Sequence, residues 1–391
     1  MSSASRYPID PITLRINGVD WTYWKSVEIT RQMDAIAGAF SIGLADRWVK
    51  GARAMPIAAG MECEVLIGED PVIRGYIDKV SPSFSAHDHG ISISGRDKSA
   101  DLVDCSAVQK PGHWLNQTAL QLATLLAGPF GVSVIAEGDI GAPIKSTKLE
   151  QGETAHEALD KVLKQRELLA CPDGAGGLVL LKVGARKNSA TLKQGENILS
   201  ASADFDMTDR FSSYLVQGQQ PGNDDVYGLA ACAVHAHNQD PAVTRYRPLI
   251  IRAESSVDGA GAKQRAAWEC TVRAARSVTV SVTVQGFRQG KVGEASGPLW
   301  QINALTNLDI PFLRLSQQLV TSKVTFRRDA SAGSTTLLEL KDPASFMPEP
   351  KREGGGQTST KDAPIEAEKD LQTRFAENAT QQQTQIKEGK Q

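Results

Sequence analysis

From Val278 to Gln285 the chain alternates without interruption. Val278, Val280, Val282 and Val284 fall on one side, and Thr279, Ser281, Thr283 and Gln285 on the other. A period of two is the period of a strand, so the segment predicts a β-strand with one valine face and one small polar face. The valine face fits a core. The Thr/Ser/Gln face fits a wet surface better than a dry one. Either edge of so regular a strand invites further pairing, so barrel closure or a neighbouring subunit is expected to cover it. Shorter runs of the same kind fill the first hundred residues. In "ITLRINGVDWTYW", Asn17-Gly18 stands between alternating segments and signals a hairpin, because both residues tolerate positive φ. "SVEITRQM", "AFSIGLADRW", "MECEVLIGEDPVIRGYIDKVSPSF" and "HGISISGRD" follow as strands separated by turn residues. That spacing predicts a small barrel or sandwich.

The period changes near Pro111. "NQTALQLATLLAGPFG" predicts a helix capped by Asn116, with Ala119, Leu122, Ala123 and Leu126 on one face and Gly128-Pro129 as the stop. A second helix is predicted from Glu153, with Ala155, Ala158, Leu159, Val162 and Leu163 at helical spacing. "ELLACPDGAGGLVLLKV" predicts strand, glycine turn, strand. "QGENILSASADFDMTDRFSSYLVQGQ" returns to β character, "AGAKQRAAWECTVRAAR" predicts a third helix, and the valine strand, "LWQINALTNLDI" and a last hairpin complete the pattern.

The expected architecture is mainly β with α+β insertions. A first β-barrel-like domain covers 1–110 and a small α+β domain 111–190. A second barrel-like domain is split into 191–220 and 277–347 by an inserted, helix-containing domain at 221–276. A tail rich in Gly, Pro and charge covers 348–391. Within it, Ala367, Leu371, Phe375 and Ala379 stand at a spacing of four and could line one narrow helix, against a default of disorder. "YIDKVSPSFSAHDHGISISGRDKSADL" and "QLVTSKVTFRRDASAGSTTLLELKDPASF" share a plan of strand, charged turn, strand and polar stop at Asp97 or Asp342, which suggests that the two β domains are related.

Composition narrows the function classes. A chain of 391 residues has room for two to three domains of about 100–200 residues. With 43 Lys and Arg against 45 Asp and Glu, the net charge is -2, so the whole chain is no electrostatic trap for nucleic acid or an anionic membrane. Neither a bilayer-length apolar run nor a secretory signal is apparent, and no stable membrane insertion is expected. Cys63, Cys105, Cys171, Cys232 and Cys270 are far apart, odd in number and without a CxxC pair, which predicts reduced, mostly buried thiols.

Candidate chemistry is sparse. Walker, GxGxxG, GxSxG and HExxH motifs are missing. His87 and His89 fit a solvated hairpin tip better than a metal site, since no third ligand is evident. Cys232, His235 and His237 form a better zinc set, yet no fourth ligand stands at a usual spacing. Asp97, Asp101 and Asp104 are one carboxylate group. There Asp97 is read as the cap of a short turn, with Arg96 or Lys98 pairing to neighbours. Asp204, Asp206 and Asp209 are another, read as a solvated loop. On the third helix, Lys263, Arg265, Arg273 and Arg276 could meet phosphate, but Glu269 at i,i+4 from both Arg265 and Arg273 favours a self-paired face. Trp268, Cys270 and Val272 are assigned to its buried side. The expectation is no catalytic residues, no cofactor and no metal.

Several stretches together resemble a known family. "FSIGLADRW", "IGEDPVIRGYIDKVSPSFSAHDHGISISGRDKSADLVDCSA", "RPLIIRAE", "RAAWE" and "VTVQGF…GPLWQINALTNL" occur in that order, and the likeness to the baseplate hub proteins of Mu-like contractile-tailed phages, the gpP tail-protein family, spans residues 10–346. Its most specific block runs from Gly75 to Ala107. The resemblance implies a homotrimeric ring with two similar β-barrel domains per subunit. It also implies a joint between a sixfold tail tube and a threefold central spike, contacts with other baseplate proteins, a channel for DNA passage, and assembly in the host cytoplasm into the virion. It supplies no catalytic residues. A DNA conduit should have a neutral or acidic lumen, because each phosphate neutralised by Lys or Arg adds salt-dependent affinity. Two other classes remain. A glycan- or receptor-binding module usually clusters aromatics, whereas here they make up 6% of the chain and its tryptophans are scattered. A hydrolase using His235 and nearby acids is the third.

Overall fold

The computed structural model describes residues 10–22, 24–45, 57–85, 89–219, 233–253, 257–290 and 297–350. These residues fall into two compact units, one within 1–204 and 278–347, the other within 205–277 and 348–391. The candidate tail helix at Ala367, Leu371, Phe375 and Ala379 lies outside the described residues.

The first unit opens with the hairpin β1 (Ile12–Ile16) and β2 (Val19–Trp21), where Asn17 and Gly18 have φ of 51° and 75° as the turn requires. Strands β3 (Ser26–Gln32), β4 (Ala39–Ala45), β5 (Glu62–Ile67), β6 (Asp70–Phe84) and β7 (His89–Asp97) follow. A four-residue turn of helix, α1 (Asp101–Asp104), leads into the α+β portion.

That portion contains β8 (His113–Gln117), α2 (Ala119–Ala127), β9 (Val134–Ala136), β10 (Ile144–Lys148), α3 (Ala155–Lys164), β11 (Leu169–Pro172) and β12 (Leu178–Leu181). Both longer helices start with a capping box, Thr118 with Gln121 and Thr154 with Glu157. Thr118, not Asn116, therefore caps α2. Asn116 ends up inside β8 at φ 51°. The five apolar residues expected on one face of α3 are all buried, as are Ala119, Leu122, Ala123 and Leu126 on α2. β12 is an unbroken apolar run because both its faces are covered. Leu178 and Leu180 join the helix core, while Val179 and Leu181 join the core of the large sheet.

Three further strands, β13 (Arg186–Lys187), β14 (Leu192–Lys193) and β15 (Ile198–Phe205), return the chain to the large sheet. The second unit then intervenes with β16 (Ser213–Gly218), β17 (Val234–Gln239), β18 (Pro248–Arg252) and α4 (Gly259–Arg276). Its small sheet has the order β17-β16-β18. β16, grouped by its sequence pattern with the second β domain, is thus the central strand of this unit, hydrogen-bonded on both edges. The first unit resumes with β19 (Val278–Gln285), β20 (Ala304–Ile310), β21 (Leu315–Asp329) and β22 (Gly333–Lys341).

The large sheet runs β15-β19-β22-β21-β3-β4-β7-β6-β5-β1-β2, with β20 attached to β21 and β13 and β14 attached to β20. Two stretches of this order match. The first repeat reads β3-β4-β7-β6-β5, and the second reads β15-β19-β22-β21-β20. Each strand of one has the same chain-order rank as its counterpart in the other. The expectation of two closed barrels is corrected here, since no ring of pairings closes among the described residues. The physical reason is that β21 pairs with β3 along Lys323–Asp329. The fourth strand of the second repeat therefore meets the first strand of the other repeat, not its own β15. The edges of the valine strand β19 are likewise covered within the chain, by β15 and β22.

Val280, Val282 and Val284 enter one apolar core with Leu338, Leu340, Val324, Phe326, Val27, Ile29, Phe40, Ile42 and Ile93. Burial of each such side chain stabilises by about 1.5–3 kcal/mol, and a slip of one residue would turn the whole set outward, so the register is fixed by the core.

A buried ionic cluster holds the α+β portion against the first repeat. Asp97, 2% exposed, accepts from the amides of Gly38 (2.8 Å) and Arg74 (3.1 Å). Asp97 occupies the N-cap position of the short turn that follows, but its carboxylate does not cap it. Its partners lie 59 and 23 residues away. The Arg31 guanidinium donates to the Pro172 carbonyl. At Gly174, φ is 91° and an added Cβ would come within 2.8 Å of the Pro71 carbonyl oxygen, so the glycine turn lies flush on β6.

Two outcomes follow from this packing. Phe326 is 1% exposed and meets Phe287 edge to face at 5.8 Å. Phe326→Ala should cost about 3–5 kcal/mol in urea denaturation, and a loss under about 1 kcal/mol would contradict the packing described. Burial pushes the Asp97 carboxyl up to about 6. Arg31 and the two amides pull it down, and Asp173 pushes it up. With the folded value above the unfolded one, stability is fully present below about pH 4 and falls by on the order of 3 kcal/mol as pH rises to about 6. The difference in unfolding free energy between wild type and Asp97→Asn should therefore change across that window. A difference independent of pH would contradict it.

Candidate assembly surface

The large sheet has a second face, and it is mostly polar across both repeats, with Leu337 as an apolar exception between Thr283 and Thr325. On β19, Thr279, Ser281 and Thr283 are half-buried and Gln285 exposed. The pairing places Ser281 opposite Glu339, Glu339 opposite Lys323, and Arg327 opposite Glu28, which in turn faces Ser41, with Ser94 next. Alternation dictates this face. Each residue that sends Val or Ile into the core is followed by one that points the other way.

Charges on this face are largely paired on the spot. Arg327 Nε lies 2.9 Å from Glu28 Oε2 across the β21–β3 junction, and Lys323 Nζ lies 3.5 Å from Glu339 Oε1. Arg96 binds Asp78 at 2.7 Å and Asp104 at 2.8 Å, and Lys98 binds Glu62 at 2.8 Å. Hydrogen bonding to Arg96 holds the Asp104 carboxyl below its ordinary value. Exposed pairs of this kind add little stability, on the order of 0–1 kcal/mol each, but they neutralise the surface locally. Thr30 and Thr325 meet hydroxyl to hydroxyl at 3.4 Å at the same junction.

The residues singled out for chemistry do not converge. His87 and Asp88 lie outside the described residues, and His89 is described only as part of the β7 backbone. Cys232 also lies outside them. His235 and His237 are exposed on β17, and a His235 ring nitrogen contacts the Ala233 carbonyl at 3.0 Å. Among the described residues no group of three His, Cys, Asp or Glu side chains is placed to hold a metal ion. Asp204 is exposed on β15. Asp206 accepts from the Thr208 amide, and hydrogen bonding to Thr208 holds its carboxyl low. Cys63 and Cys171 are buried, Cys270 half-buried and Cys105 exposed, all as free thiols. Burial pushes the first three up to about 12, which suppresses the thiolate.

Helix α4 pairs two of its four cations, Arg265 and Arg273, with its one acid. Glu269, itself buried, takes Arg265 on Oε1 and Arg273 on Oε2, each at 2.8 Å. The arginines also stack on rings, Arg265 over Trp268 at 4.9 Å and Arg273 over Phe211 at 5.5 Å. The buried stripe is Ala262, Ala266, Glu269, Val272 and Ala275. Of the residues expected there only Val272 is fully buried. Trp268 and Cys270 are half-buried, because 268, 270 and 272 cannot share one helical face.

Comparison with known proteins agrees with a chain built for assembly. Residues 11–97 match the family model "Mu phage baseplate assembly protein GpP-like, N-terminal". Residues 99–182 match "Baseplate hub protein gp44-like, second domain", and residues 258–349 match "Mu phage baseplate assembly protein GpP, fourth domain". The baseplate hub protein gp44 of Escherichia phage Mu is 32% identical over 368 residues, covering 91% of this chain and 95% of that protein. The 43 kDa tail protein of prophage MuSo2 from Shewanella oneidensis superposes with a TM-score of 0.76 at 34% identity, covering 86% of this chain and 100% of its own. A tail protein from Neisseria meningitidis MC58 has the same fold, with a TM-score of 0.70 at 23% identity over 87% of this chain and 98% of its own. The chain belongs to the baseplate hub protein family of Mu-like phages, and as such is a structural component of the virion tail.

Proposed function

We propose that three copies form a ring that joins the sixfold tail tube to the threefold central spike, contacts other baseplate proteins, and leaves a channel for DNA. The observation that carries this reading is the repeat of five strands in the same order, β3-β4-β7-β6-β5 and β15-β19-β22-β21-β20. Two similar walls per chain become six around a threefold axis, which reconciles the two symmetries. The five-part division of the chain is kept as a working organisation, with β16 on the side of the insertion.

The polar face supports a role as the channel wall. Several of its cations are paired with carboxylates, as at Arg327–Glu28 and Lys323–Glu339, and the chain carries a net charge of -2. A wall of this kind offers DNA few unpaired cations, so counterion release drives little binding. The side chains on it do no chemistry in this reading, and the protein acts without cofactor or metal.

The chain, alone and co-expressed with the phage's spike protein, should have the mass of a trimer and show a central hole under the electron microscope. A monomer under both conditions would overturn the ring. Duplex DNA should bind weakly to the assembled protein with a shallow salt dependence. Tight binding lost steeply as salt rises would contradict a neutral channel wall.

A further inference from the structure

The two repeats are joined once inside the chain, and the same kind of junction is available a second time. β21 and β6 hold corresponding places, fourth in their repeats. Each has 15 residues. Each carries a register shift one residue before a lysine, between Thr321 and Lys323 in β21 and between Ile77 and Lys79 in β6. The N-terminal half of each has a flanking strand, β20 on β21 and β5 on β6. Past the bulge they differ. β21 gives Lys323–Asp329 to β3. Among the described residues, 79–83 of β6 pair with β7 alone. At the far end of the sheet, β15 corresponds to β3 as the first strand of its repeat. Among the described residues it has β19 as its one neighbour and forms the terminal strand.

We propose that residues 79–83 of β6 pair antiparallel with β15 of a second copy of this chain, reproducing the β21–β3 junction between subunits. This rests on the ring reading above and deepens it by naming the joint. A second copy is the occupant indicated, because the chain already carries a worked instance of the same two strand types joined. The contact uses two different surfaces, so it propagates head to tail and can close a ring. It would also satisfy two strand edges that are otherwise open to aggregation. Pro82, exposed in this stretch of β6, lacks an amide donor and limits indiscriminate pairing there.

The internal junction sets the register. Equating Lys79 with Lys323 makes Ser83 the counterpart of Arg327. On the other strand, Phe40 pairs with Ile29 and Gly95, while Val280 holds the corresponding place opposite Leu340. The Asp206 amide donates to the Ser277 carbonyl at 2.8 Å; taken as a rung of an antiparallel β15–β19 ladder, like that of β3 and β4, this bond puts Ala203 opposite Val280. Ala203 is then the counterpart of Ile29, and Ser202 that of Glu28. Because Arg327 faces Glu28 within the chain, Ser83 should face Ser202 between chains. Both serines are exposed.

The test uses full-length chains carrying Cys105→Ser, Cys232→Ser and Cys270→Ser, one with Ser83→Cys and one with Ser202→Cys. Mild oxidation of the mixture should yield a covalent dimer, and neither variant alone should do so. The chain carrying both substitutions should yield a covalent trimer, and a short bismaleimide should give the same pattern if disulfide geometry is unfavourable. A trimeric mass without cross-linking by either reagent overturns this joint and leaves the ring intact. A monomeric mass overturns both. Cross-linking of either single variant with itself also overturns the joint.

Discussion

The pairing of β21 with β3 is the constraint on which the first unit depends. It joins strands far apart in the chain, with Thr30 and Thr325 295 residues apart. Without it, each repeat would end on an unpaired strand and bury its valines against little. With it, Phe326 and Ile29 face each other in one core, and the same rungs place Arg327 beside Glu28 on the polar side. One set of hydrogen bonds thus fixes both the apolar register and the charge balance of the opposite surface.

The α+β portion is secured differently. Its attachment combines the double-sided strand β12, a glycine turn lying on β6, and the Arg31–Asp97 cluster. A buried carboxylate and a buried guanidinium are costly to desolvate, so this cluster is better read as a positioning device than as a source of stability. It specifies where the turn at Gly174 sits relative to β6, which apolar contacts alone would leave looser. The second unit repeats the theme at smaller scale, with Glu269 clamped between two arginines on α4.

What was legible in the sequence was local. The alternation of Val278 to Gln285 fixed a strand and its buried face, and Asn17-Gly18 fixed a hairpin, because both signals are complete within a few residues. The helices at 119–127 and 155–164 were legible from their apolar spacing. Asn116 misled because the competing cap, Thr118, has its partner Gln121 three residues on and completes a reciprocal pair of hydrogen bonds. Asp97 misled for the opposite reason, since its partners Gly38 and Arg74 are brought to it by the sheet. The similarity of the two hairpins was visible as a shared plan. Its consequence, a matching strand order through both halves, was not, because β15 and β19 are separated by an entire inserted unit. The assembly surface was legible only as a polar strand face, and its pairing of charges depends on register between strands.

Hydrogen exchange at the β21–β3 junction tests the central claim most directly. If the two repeats are one sheet, the amides of 26–32 and 323–329 that point into the shared ladder should exchange as slowly as those inside β4 and β22, and should open together with them. Rapid exchange at the junction, with the two repeats protected to separate and unequal extents on either side, would contradict it.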